Sequence, residues 1–354
     1  MKYILYLVFR KKNIALEAIS SIKSFFYITS TEQRQLYRIV IYTDLVDMFK
    51  NAFPDNKLLI IEELTEQIVK KWLDGTTFIY RLKNCMLQNF FKKYSSKAIY
   101  FDTDTFFMKD IGSLFDKIDH NKFIMHNAEN TLKDKLDYMK TFTYNPYEIP
   151  LFYNHLRESN IISYKDHRYE LPYTMQIWNS GVIGMSPSNL NLLEEALTLS
   201  SIIYDQFENI LGEQYALAYF FQKHGNITAC DDIIFHYWFL KYTKYLIEYI
   251  LDKDFDIKNE NEFLEFIKKY QLERLLEVKL DYKDLPILLT CIANSKFHPL
   301  IVQRMALDIP AGSYLGKIFL GAETYHKYAN LLYSKYKIDL RTIDKNATLD
   351  WERK

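Results

Sequence analysis

The sequence predicts an α/β fold: a mixed, mainly parallel central sheet flanked by helices over residues 1–245, followed by a mostly helical C-terminal region, 246–354. Three observations carry this. Short apolar runs alternate with stretches whose apolar residues recur every three to four positions, the pattern of parallel strands joined by crossover helices. One run, Ala98–Phe101, leads straight into Asp102-Thr103-Asp104, where an open α/β sheet binds its ligands. The chain has 354 residues, 49% of them hydrophobic, enough for one large core with an appendage.

The elements follow in order. Residues 2–9, KYILYLVF, read as the first strand: the apolar run from Tyr3 to Phe9 ends at Arg10 and is too short to span a bilayer. Ile14, Ala15, Ala18, Ile19, Ile22, Phe25 and Phe26 form a helical stripe within Lys12–Ile28. Tyr37–Thr43 is a β-branched strand, and the helix Leu45–Phe53 stops at Pro54. Lys57–Ile61 is a brief strand. Glu62–Leu73 and Phe78–Tyr94 are helices, separated at Gly75. Ala98–Phe101 is short, bulky and apolar, as a central strand buried on both faces should be.

After Phe107 the pattern loosens. Ile111–Phe115 reads as a turn and short helix, and Lys122–His126 as a strand. Residues 127–173 mix Asn, Tyr, Pro and charges without a period, which predicts a loop, lid or small subdomain inserted over the site. Met175–Met185 reads as two short strands around Asn179-Ser180-Gly181. Leu190–Leu199 and Glu213–Lys223 are helices, and Ile227–Cys230 a strand.

Bulk properties exclude several classes. Lys+Arg 45 balances Asp+Glu 45, with no block of like charge, so nucleic acid is not an expected partner. Three scattered cysteines, Cys85, Cys230 and Cys291, suit a reducing cytoplasm and form no metal-binding cluster.

The chemistry gathers around Asp102 and Asp104. Two like charges at a buried strand end repel unless a cation lies between them. Oxygen ligands suit a hard divalent ion, Mn²⁺ or Mg²⁺. Four further clusters accompany the pair. Arg81, Lys83 and Asn84 precede the strand on one helix, where cations would suit a pyrophosphate. Asn179-Ser180-Gly181 offers amide groups and close backbone approach. Glu213-Gln214 opens an apolar helix, placing a carboxylate and an amide at the domain's edge. His236, followed by Lys241, can add an imidazole, which suits Mn²⁺ better than Mg²⁺. Ordinary readings exist for each: a solvated helix face, a tight turn, a helix cap, a structural histidine.

Taken in this order, Arg81, IYFDTDT at 99–105, NSGVIGM at 179–185, Glu213-Gln214, and HYW at 236–238 with Lys241 resemble the nucleotide-diphospho-sugar glycosyltransferases of the GT-A (Rossmann-like) fold. The likeness is strongest to the bacterial family-8 (glycogenin/galactosyltransferase-like) group and covers roughly residues 1–245. The resemblance implies that Asp102, Asp104 and His236 hold Mn²⁺ (or Mg²⁺). It implies that Arg81, Lys83, Asp102, Asp104, Gly181 and Lys241 contact a nucleotide-sugar donor, a UDP-sugar by family habit. Asn179, Glu213 and Gln214 would line the sugar and acceptor site. It further implies a glycan, lipid-linked or protein acceptor, and a cytoplasmic enzyme that touches the inner membrane peripherally, serving surface-polysaccharide or glycan synthesis.

Two other readings use the same residues. A haloacid-dehalogenase-type phosphatase would take Asp102 as nucleophile and Asp104 as acid/base, with Asp231-Asp232 as a later acidic motif. A non-catalytic interaction protein would keep the fold and a degenerate site.

Overall fold

The computed structural model describes residues 1–140, 150–236 and 238. The chain divides into two units, Met1–Lys11 with Ile28–His236, and Lys12–Tyr27 with Tyr237–Lys354. The expected helical region 246–354 and Lys241 lie outside the described residues.

In the first half, β1 (Lys2–Val8), α1 (Lys12–Ile28), α2 (Thr31–Arg34), β2 (Tyr37–Thr43), α3 (Val46–Ala52), β3 (Leu59–Glu63), α4 (Glu66–Leu73), α5 (Arg81–Tyr94) and β4 (Ala98–Phe101) follow the expected alternation. Local chemistry sets their ends. The Thr65 hydroxyl accepts from Ile68 N at 3.3 Å to open α4. Asp74 and Ser95 close α4 and α5 in the left-handed conformation. Helix α1 departs from a one-sided stripe, because every residue from Ala15 to Phe26 is buried, Glu17 and Lys23 included.

Downstream come β5 (Thr105–Phe107), α6 (Gly112–Asp116), β6 (Lys122–Met125), β7 (Ala128–Thr131), α7 (Leu132–Lys140), α8 (Pro150–Glu158), β8 (Ile161–Tyr164), β9 (His167–Glu170), β10 (Gln176–Trp178) and β11 (Val182–Met185). The rest of the first unit is α9 (Leu190–Phe207), α10 (Gly212–His224), β12 (Asn226–Ala229) and β13 (Ile234–His236).

The main sheet has seven strands in the order β12-β6-β11-β4-β1-β2-β3. All of its pairings are parallel except those of β11, which runs against both β4 and β6. This is the mixed, mainly parallel sheet the sequence predicts. One face carries Leu5, Val40, Tyr100, Ile183 and Met185 into a core shared with Leu82, Met86 and Phe90 of α5, Leu193 and Ala196 of α9, and Tyr215 and Phe221 of α10. Phe123 of β6 stacks on Phe221 at 4.2 Å. No helix among the described residues is long and apolar enough to cross a membrane.

Of the insertion 127–173, the described parts, 127–140 and 150–173, are regular structure and not an irregular loop. They hold β7, α7, α8 and the β8–β9 hairpin, and Leu132, Leu136, Phe152, Leu156, Ile162 and Leu171 belong to the main core. Four-residue strands and nine-residue helices are too short to display a period, which explains the misreading. The strands around Asn179-Ser180-Gly181 form, but not with each other: β10 pairs with β7, and β11 enters the main sheet.

Candidate active site

The end of β4 is the centre of the site. Because β11 is antiparallel to β4, the start of β11 meets the end of β4, and Asp102 N donates to Gly181 O at 2.7 Å. Beyond Asp104 the chain becomes β5, which pairs with β13 so that Thr105 stands opposite His236. That register delivers the imidazole. His236 Nε2 lies 3.1 Å from Asp104 Oδ1 and 3.9 Å from Asp102 Oδ2. One donor atom from each of the three residues falls within 4.8 Å of the others, with Asp104 and His236 buried.

The imidazole is held by its other nitrogen. His236 Nδ1 lies 2.9 Å from Asn179 Oδ1, and the same oxygen accepts from Gly181 N at 2.9 Å. An oxygen already accepting a backbone N–H presents a lone pair to the ring, so Nδ1 carries the proton. In the neutral ring Nε2 then turns its own lone pair toward two carboxylates. Only a proton or a metal cation resolves that confrontation, and two carboxylates with one imidazole are a suitable donor set for Mn²⁺.

A second buried network backs the first. Lys83 Nζ reaches Asp102 Oδ1 at 3.2 Å, Ser180 O at 3.2 Å and Glu213 Oε1 at 3.6 Å. The ammonium thus bonds Ser180 and pairs with Asp102, while Glu213 Oε1, at ion-pair distance, is buried without a hydrogen-bond partner. Burial alone would lower the Lys83 pKa, but Asp102 and Glu213 outweigh it and hold the amine well above its ordinary range. Burial pushes the Glu213 carboxyl up, against the pull of Lys83, and the Ser180 hydroxyl donates to Glu213 Oε2 at 3.0 Å. Tyr100 OH also donates to Asp102 Oδ1, at 2.6 Å. With Oδ1 taken by Lys83 and Tyr100, Oδ2 is the Asp102 oxygen on the imidazole's side.

Of the residues singled out in the sequence, Lys83, Asp102, Asp104, Asn179, Gly181, Glu213, Gln214 and His236 come together. Arg81 does not join them. Its guanidinium donates to Trp72 O at 2.7 Å, Ser201 Oγ at 2.7 Å and Asp74 Oδ2 at 3.3 Å, and it lines a groove with Tyr164, Lys165 and Asp205. Residues two apart on a helix point to opposite sides. Since Lys83 faces the aspartates, Arg81 faces away. Asp232, of the rival acidic motif, pairs with Lys109 at the surface instead.

Glu129 and Tyr100 join the site without having been among the sequence candidates. Glu129 on β7 accepts from Asn179 Nδ2 at 3.1 Å and from Gln214 Nε2 at 3.3 Å. A carboxylate in the exposed stretch Ala128–Asn130 gives no sequence signal, whereas Tyr100 can be found as the inward neighbour of Asp102 on its strand.

Gly181 is needed for space. A Cβ there would lie 2.1 Å from His236 Cε1 and 2.2 Å from Nδ1, so the ring would have to leave its place. Gly181→Ala should therefore weaken Mn²⁺ binding at least tenfold, with a stability loss of about 1–3 kcal/mol from overpacking. Calorimetric titration with Mn²⁺ and a urea melt check this; wild-type metal affinity would show that the ring is not confined.

No protein-family model matches the chain, and no curated protein matches it. Solved structures do resemble it. Mouse xyloside xylosyltransferase 1 in its apo form is similar over 65% of this chain and 86% of its own, at 13% identity and TM-score 0.43. The bifunctional glycosyltransferase WbbM in its apo form is similar over 64% of this chain and 38% of its own, at 12% identity and TM-score 0.39. The galactosyltransferase LgtC, in complex with donor and acceptor sugar analogues, is similar over 64% of this chain and 73% of its own, at 12% identity and TM-score 0.39.

Proposed function

We propose that this protein is a metal-dependent GT-A-type glycosyltransferase that moves a sugar from a nucleotide-diphosphate sugar, a UDP-sugar by resemblance, to an acceptor hydroxyl on a glycan, lipid-linked or protein partner. The observation that carries the reading is the meeting of Asp102, Asp104 and His236 at the end of β4, with His236 Nε2 3.1 Å from Asp104 Oδ1 and 3.9 Å from Asp102 Oδ2. These three residues would hold the Mn²⁺. Held by these residues, a divalent ion would supply positive charge for the donor diphosphate and for the departing nucleoside diphosphate.

The chain's own groups do the rest. Lys83 lies between Asp102 and Glu213 and fixes the Asp102 carboxylate, so Asp102 presents Oδ2 and needs no reorganisation when donor binds. Its ammonium is buried against Asp102, Ser180 and Glu213, which makes Lys83 a positioning residue here, not a phosphate ligand. Glu213 places a carboxylate beside the positive charge that grows on the anomeric carbon. The amides of Asn179 and Gln214 are suited to orient sugar and acceptor hydroxyls, both being polar ends that bond the same exposed Glu129.

The test is thermal stabilisation by a panel of nucleotides and nucleotide sugars, each with and without Mn²⁺. Ligand at ~100 times its Kd should add about 2.7 kcal/mol. We expect a shift only when metal and one nucleoside diphosphate are present together, followed by EDTA-sensitive donor cleavage. No shift with any nucleotide, together with hydrolysis of a simple phosphoester, would sink the transferase and favour the phosphatase.

A further inference from the structure

We propose that Glu129 is a positioning residue for the metal centre: together with the Gly181 N–H it holds the Asn179 amide in the orientation that leaves the lone pair of His236 Nε2 toward the two aspartates. The proposal rests on the metal-dependent reading above.

The reasoning starts from an ambiguity. An Asn side chain presents nearly the same shape with its oxygen and nitrogen exchanged, so its orientation must be set by its partners. Asn179 has a reader at each end. Gly181 N–H donates to Oδ1 at 2.9 Å, and Glu129 Oε1 accepts from Nδ2 at 3.1 Å. An ionised carboxylate only accepts, so Glu129 obliges Asn179 to show it an NH₂ group. Oδ1 then faces His236 Nδ1, 2.9 Å away. Nδ1 takes the proton, and Nε2 keeps the lone pair that faces Asp104 and Asp102.

Reversing the amide reverses the outcome. Asn179 Nδ2 would face Nδ1, which would have to accept. The neutral ring would then carry its proton on Nε2, on the side of the aspartates, with no lone pair left for a cation. Glu129 would thus act on the metal through two intervening side chains, Asn179 and His236, without touching it. The fold supports this placement. β7 pairs with β10 through Thr131↔Gln176 and Ala128↔Trp178, and Asn179 N donates to Asn127 O at 2.9 Å. The second oxygen of Glu129 takes Gln214 Nε2 at 3.3 Å, which holds the carboxylate plane between two amides. Being exposed, Glu129 can be changed without opening the core.

The experiment uses the full chain as wild type, Glu129→Gln, Glu129→Ala and Glu129→Asp. Mn²⁺ is titrated and followed by its electron paramagnetic resonance, and the imidazole ¹⁵N spectrum is recorded without metal. Glu129→Gln offers one acceptor and one NH₂ to two donors, and Glu129→Ala offers none. Both should weaken Mn²⁺ about 10–100-fold, the range for lost outer-shell partners of a metal-binding histidine. Both should also move His236 from the Nδ1–H toward the Nε2–H tautomer, while Glu129→Asp, which keeps the carboxylate, recovers part of each. A structural role alone would not move the tautomer. Wild-type Mn²⁺ affinity and an unchanged ¹⁵N spectrum in Glu129→Ala would overturn this proposal alone. A wild-type chain that takes no Mn²⁺ would overturn it together with the metal-dependent reading.

Discussion

Replacing Lys83 with Met should lower the unfolding free energy by about 3–5 kcal/mol at pH 7, the cost of removing one partner from a buried ion pair. The side chain of Lys83 is only 7% exposed and that of Glu213 only 4%, so water cannot readily take the ammonium's place. Met fills much of the same space, which separates the electrostatic loss from a cavity. The pH dependence carries the signature. Lys83 is held above its ordinary value of 10.5, so its contribution is fully present below that pH and is lost only as pH rises through its higher folded value. Wild type should therefore show no loss from this group between pH 6 and 9. Glu213 has a raised folded pKa, so its protonated form favours the folded state and that contribution is lost as pH rises. In Lys83→Met, acid should neutralise Glu213 and narrow the gap to wild type. Urea melts of both chains across pH 4–9 measure this. A deficit under ~1 kcal/mol at pH 7, or one that widens in acid, would contradict the network.

Asp104→Asn should lower kcat/KM for donor cleavage by about 10²–10⁴, corresponding to several kcal/mol of lost charge stabilisation. The substitution keeps size and shape but removes a charge beside His236, so metal and donor affinity should fall together. Stability without metal should hold or rise slightly, because one of two neighbouring like charges is gone. Mn²⁺ titration of turnover, paired with a metal-free melt, reads both. Wild-type turnover at saturating Mn²⁺ would remove Asp104 from the site. Loss of activity with undiminished Mn²⁺ binding would assign it a role in proton transfer instead.

What could be read from the sequence follows from how far each signal travels along the chain. β4 is legible because four bulky residues end in two charges within one short segment. The sheet is legible because the strand–helix alternation repeats. His236 is visible only through its order behind the other motifs, since β13 is three residues long and acquires strand structure by pairing with β5. Lys83 and Arg81 look alike on paper. The helix period separates them, but which of the two faces inward depends on where α5 docks. Glu129 is invisible for a related reason: β7 is polar and mostly exposed, and only its pairing with β10, 45 residues away at Gln176↔Thr131, brings it to Asn179. The elements within 127–173 were not legible because their apolar residues serve the common core in pieces too short to show a period.

The pairing of Thr105 with His236 also bears on how the protein is made. His236 is 132 positions from Asp104, and the residues around them come from β4, α5, β7, the turn before β11, α10 and β13. Contacts so remote in sequence form late and slowly. A nascent chain that has delivered both aspartates still lacks the imidazole until β13 has left the ribosome and closed against β5. On the metal-dependent reading proposed above, metal uptake should therefore be a late event, and captured Mn²⁺ would serve as a reporter that the whole first unit has finished folding.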